Sequence, residues 1–105
     1  MTSIAPAAVR HQVLLRLDSL RALPYATLAE LPAWRTERVP FGVNVAHVTT
    51  YSERLADGTL EIVVQCMPEG EATGRIWRGV VAEGFRIAPD GTQTPLPDAV
   101  KFGFM

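Results

Sequence analysis

The stretch "YSERLADGTLEIVVQCM", Tyr51–Met67, puts a turn signal between two runs that alternate as strands do, and its register decides the fold. Asp57-Gly58 is the dipeptide that favours a two-residue hairpin loop. With that loop, Ala56 faces Thr59, Leu55 faces Leu60, Arg54 faces Glu61 and Tyr51 faces Val64. One face then collects Tyr51, Leu55, Leu60, Ile62, Val64 and Cys66. The other collects Thr50, Ser52, Arg54, Glu61 and Gln65, with Arg54–Glu61 as a favourable cross-strand pair. A three-residue loop would set Arg54, Ser52 and Thr50 opposite Leu60, Ile62 and Val64. A one-residue slip moves every side chain to the other face, so the alternation favours the two-residue loop. Glu53 is the misfit on the apolar face.

Outward from this hairpin, the period stays strand-like from Val43 to about Leu96. Four strands are expected: Val43–Leu55, Thr59–Met67, Arg75–Ala88 and a short one around Thr92–Leu96. They are joined by "ADG", "PEGEATG" and "PDG"; Pro-Asp-Gly is a strong turn signal. In the third strand Trp77, Val81, Phe85 and Ile87 fall on one face, Arg78 and Arg86 on the other. Gly79 and Gly84 are expected at a bulge or where another backbone comes close.

Upstream the period is helical. Val9, Val13, Leu17 and Leu20 form a stripe, which Leu14 widens, on a helix from about Ala5 to Ala22. Thr2 or Ser3 can cap it, Pro6 is tolerated in the first turn, and Pro24 stops it. A short helical turn, "ATLAEL", follows. "PAWRTERVPFG" reads as an irregular connection ending at Pro40 and Gly42. Helix first and meander after gives an α+β class, with the amphipathic helix packed on a three- to four-stranded antiparallel sheet. The chain divides as one domain over residues 1–105: helical 5–31, linker 32–42, sheet 43–96 and C-terminal tail 97–105.

A chain of 105 residues has room for one core without metal or disulfide staples. Hydrophobic residues make up 48% and charged residues 20%, so disorder is not expected. A net charge of −1 supplies no bulk attraction to nucleic acid or anionic membrane. All the basic residues but Lys101 are arginines, a bias that GC-rich codon usage also produces. The lone Cys66 excludes an internal disulfide. Arg10, Arg16 and Asp18 interrupt the apolar run a signal peptide or membrane helix would need, so a cytoplasmic, bacterial protein is expected.

No constellation carries catalysis. In the two-residue register Cys66 and His47 share a face, but nothing around Cys66 forms a nucleophile elbow or an oxyanion-binding loop. It reads as a small buried hydrophobe. His11, His47 and Cys66 lack the paired spacings of zinc ligands, and "EGEATG" puts glutamates where an anion would sit, so neither metal nor cofactor is expected. "YATLAEL" resembles the first helix of a helix-turn-helix only until Pro32, and Pro40 precludes a recognition helix after it.

The chemistry left is binding. Arg54, Gln65, Arg78 and Arg86 on the polar sheet face form a candidate anion-binding set, although a solvated face carries such charges too. Trp34, Trp77, Phe102 and Phe104, with the apolar tail "VKFGFM", exceed what one helical stripe can cover and are the candidate interface. The expectation is a non-catalytic interaction module working as a homodimer. A small-anion binding protein or enzyme using the arginine-bearing face is the alternative, and a nucleic-acid binder stands third.

Overall fold

The first helix, α1 (Pro6–Arg21), is organised by its stripe: Val9, Val13 and Leu17 are fully buried and Leu20 packs at the margin. Leu14 does not widen that stripe. It and Leu15 stand exposed, because the buried face of α1 is a narrow 3–4 spacing and Leu14 lies one step round the helix. The computed structural model describes residues 6–41, 44–68 and 81–97. The caps at Thr2 and Ser3, the "PEGEATG" loop after Pro68, the expected start of the third strand at Arg75, Gly79 and most of the C-terminal tail lie outside these residues. Pro24 precedes a single turn, α2 (Tyr25–Leu28), which inserts the fully buried Leu28 into the core.

Five strands follow: β1 (Trp34–Phe41), β2 (Asn44–Arg54), β3 (Leu60–Pro68), β4 (Val81–Ile87) and β5 (Gln93–Pro95). They form one antiparallel sheet in chain order, so the α+β class with a helix on a meander holds. The segment expected as an irregular linker is β1. Three charged residues and a proline hide its strand character, and its place at the sheet's edge explains why they are tolerated. Ser52 N–H donates to the Ala33 carbonyl at 3.0 Å. By strand alternation Arg35, Glu37 and Val39 turn their backbone groups to β2, while Trp34, Thr36, Arg38 and Pro40 turn theirs outward. Pro40 therefore costs the ladder no hydrogen bond.

The hairpin register is the second correction. Arg54 lies opposite Leu60, Glu53 opposite Glu61, Ser52 opposite Ile62 and Val48 opposite Cys66. The loop is Ala56-Asp57-Gly58, three residues. Gly58 N–H donates to the Leu55 carbonyl at 3.0 Å and Leu55 N–H to the Thr59 carbonyl at 2.8 Å. The β4–β5 turn repeats this, Gly91 to Ala88 at 2.8 Å and Ala88 to Thr92 at 2.9 Å. Gly58 and Gly91 have φ of 89° and 91°, the left-handed glycine that closes a three-residue hairpin. In each turn the following threonine N–H donates to the aspartate Oδ1, at 2.9 Å for both Thr59–Asp57 and Thr92–Asp90. The third loop residue is thus a glycine, and Asp-Gly-Thr acts as a unit.

Ile62, Val64 and Cys66 are buried on the helix side, as expected, together with Leu60, Val48, Ala46, Phe85 and Ile87. The polar residues that the register places beside them, Thr50, Ser52 and Arg54, are half-buried or exposed. They can be, because α1 packs over β3 and β4 and leaves the end of β2 uncovered. Each Å² of apolar surface that α1 removes from water over the central strands stabilises the fold by roughly 25 cal/mol. Gly84 sits where another backbone comes close: a Cβ there would lie 2.3 Å from the Ile62 carbonyl oxygen.

Candidate functional site

The residues expected to bind an anion do not form one group. Arg54 is exposed on the helix-side face at the end of β2, opposite Leu60. Gln65 and Arg86 belong to the other face, and Gln65 is almost fully buried. The Arg86 guanidinium grips Glu61: Nε donates to Oε2 at 2.8 Å, and a second guanidinium nitrogen meets the same oxygen at 2.8 Å. Glu61 is the buried member of this pair, so Arg86 neutralises a charge that the fold has taken out of water. Arg78 lies outside the described residues, as do Trp77, Phe102 and Phe104.

Cys66 and His47 are on opposite faces, since His47 pairs with Met67 and Cys66 with Val48. The shared-face arrangement belonged to the two-residue loop and goes with it. Burial pushes the Cys66 thiol up, with Arg16 pulling weakly the other way, and the side chain has no exposure. Such a thiol is a poor nucleophile. Among the described residues no three His, Cys, Asp or Glu side chains cluster as metal ligands would. None of the helices described is long and apolar enough to cross a membrane.

Two features replace the expected site. The first is a cleft of about 200 Å³ where α1 leaves β1 uncovered, lined by Arg16, Ser19, Leu31, Arg35, Glu37 and Thr50 among others. Arg16 donates to Glu37 Oε1 at 3.0 Å, and its buried Nε has no hydrogen-bond partner among the described residues. Two arginines and one glutamate leave a single net positive charge at the cleft. The second is the edge itself. Trp34 is 64% exposed at the start of β1, and Thr36, Arg38 and Pro40 are exposed beyond it. Thr36 Oγ1 and Thr49 Oγ1 share a hydrogen bond of 2.9 Å that holds β1 against β2 from the side-chain layer.

The residues missed from sequence are Arg16, Arg35 and Glu37, read as the polar side of a helix and a linker. A signal was present in "WRTERVPF", where Trp34, Thr36 and Val39 are strand formers, but the apolar alternation that marks a half-buried strand is absent. No family model, curated protein or solved structure matches this chain.

Proposed function

We propose that this protein is a non-catalytic interaction module of the cytoplasm that works as a homodimer. The observation that carries this reading is the exposed edge strand β1, which presents outward backbone groups and a largely exposed Trp34 on the same element. Exposed tryptophan is rare on a surface that meets only water and is enriched where proteins meet. An eight-residue edge is a template for strand addition. The lone buried Cys66 fits a reducing compartment.

A second reading has an observation of its own. The Arg16 Nε beside Arg35 in the cleft favours a small anion, a phosphate or carboxylate, held by guanidinium groups. Light scattering from about 1 to 100 µM, where a dimer of micromolar Kd passes from dissociated to associated, separates the two. Twice the mass of the 11.5 kDa chain is expected at the upper end. A constant monomer mass together with a melting temperature raised by millimolar phosphate would replace the module by the anion-binding reading.

A further inference from the structure

We infer that β1 pairs antiparallel with β1 of a second copy, about a two-fold axis at Thr36, joining the two sheets into one. This rests on the homodimer reading above and specifies its surface. Among the described residues β1 has β2 as its one neighbour, and its outward backbone groups belong to Trp34, Thr36, Arg38 and Pro40. A two-fold pairing of identical edges can centre only on one residue, so each candidate register can be tried against the side chains.

Centred on Thr36, Thr36 meets its own copy, Trp34 meets Arg38 of the second copy, and Arg35 meets Glu37 of the second copy, each twice. The two charged pairs are of opposite sign, and arginine over an indole is the favourable cation–π arrangement. Arg16 takes Glu37 Oε1 within its own chain. A carboxylate accepts at both oxygens, so Glu37 joins Arg16 of its own chain to Arg35 of the other. The outward groups of Trp34, Thr36 and Arg38 then make about six ladder hydrogen bonds, and Pro40, with no N–H, falls outside the paired segment.

Neighbouring registers fail on the same criteria. Centring on Arg35 sets Arg35 against Arg35, and centring on Glu37 sets Glu37 against Glu37. Centring on Arg38 stacks two like charges and brings Pro40 opposite Thr36, where a hydrogen bond is lost. Centring on Trp34 sets Pro32, with no N–H, opposite Thr36 and gives Arg35 no opposite charge. Like charges directly opposite are destabilising, so the charge order Arg35-Thr36-Glu37 together with the two prolines favours the Thr36 register. The same charges and Pro40 hinder an unrelated strand from adding to this edge.

The test is a thiol placed on the axis. In Thr36→Cys, paired copies bring the introduced thiols to a Cα separation of about 5.5 Å, within disulfide reach. The native Cys66 is buried and does not compete. Thr49→Cys is the control: it loses the same Thr36–Thr49 hydrogen bond but sits on β2, so its thiols lie three strand spacings apart, about 14 Å, too far to bridge. Under mild oxidant, Thr36→Cys should form covalent dimer at least tenfold faster than Thr49→Cys, on non-reducing gels. Arg35→Glu, which faces Glu37 with a like charge, should weaken dimerisation at least tenfold by light scattering while leaving the circular dichroism unchanged. A wild-type dimer with equal cross-linking of the two cysteine variants and no effect of Arg35→Glu would overturn the β1 pairing and leave the module reading intact. A monomer at every concentration with no cross-linking would overturn both.

Discussion

Gly84 shows how little one position can give. Its missing side chain leaves room for the Ile62 carbonyl, 2.3 Å from where a Cβ would be, and for Leu96 and Val63 at 2.8 and 3.2 Å. The nearest atom is backbone, so relief requires β3 and β4 to move apart. Gly84→Ala should cost about 1–3 kcal/mol, the usual range for overpacking, in chemical denaturation; an unchanged midpoint would mean that the strands separate freely. Cys66 is equally determined by its surroundings. Between Val48 and Val81 across the ladder it acts as a small apolar side chain, and its chemistry is silenced by burial.

The two hairpin turns carry their geometry in five residues each, and in both an aspartate carboxylate accepts from the following threonine N–H. The Thr59 N–H holds the Asp57 carboxyl below its ordinary value, and the Thr92 N–H does the same for Asp90. A carboxyl lowered in the folded state stabilises the fold fully above its unfolded value, here near 3.8, and less as pH falls through the lowered one. The double variant Asp57→Asn, Asp90→Asn keeps an acceptor oxygen but takes up no proton. Its melting temperature should therefore drop less than the wild type's between about pH 5 and about pH 2.5, the interval in which such carboxyls titrate. Parallel declines would show that the turns contribute nothing to acid sensitivity. The turns also tie distant elements: the Tyr25 hydroxyl donates to the Gly58 carbonyl, and a Cβ at Gly58 would touch Pro89 of the other turn at 3.2 Å.

Across the molecule the sheet is covered on both faces, unequally. α1 and Leu28 close the helix side. On the other, Val63, Ala82 and Leu96 are buried beside Tyr51, and Glu61 and Gln65 are buried with them. The Glu61–Arg86 pair is the cost of this second layer. Arg86→Met leaves the Glu61 charge buried without its partner and should destabilise by about 3 kcal/mol, the lower end of the range for broken buried pairs because Arg86 is itself one-third exposed. Adding Glu61→Gln should restore part of that loss in the same melting experiment. A single variant as stable as wild type would mean that water already serves Glu61. Further ties hold α1 to the sheet: Arg10 meets Glu83 at 3.6 Å, the Gln93 side-chain amide donates to the Arg21 carbonyl at 2.9 Å, and Arg21 lies 5.4 Å from the Phe85 ring centre.

What was legible from residues alone was local and periodic. The helical stripe of Val9, Val13 and Leu17, the switch to alternation, the burial of Ile62, Val64 and Cys66, and Gly84 at a close approach follow from side-chain spacing and backbone sterics, which act within a few residues. The register of the central hairpin was not, because Asp-Gly suits both a two-residue and a three-residue loop. Cross-strand pairing then tipped the choice, with Arg86 of β4 taking the Glu61 carboxylate that Arg54 was expected to meet. β1 was not legible either. Its residues have no apolar period to read, and they become a strand only because β2 offers a ladder edge. Which face α1 covers, and how much of it, was settled by packing over β3 and β4. Among the described residues that placement leaves β1 less covered than the central strands, tied to α1 through Arg16 and Glu37.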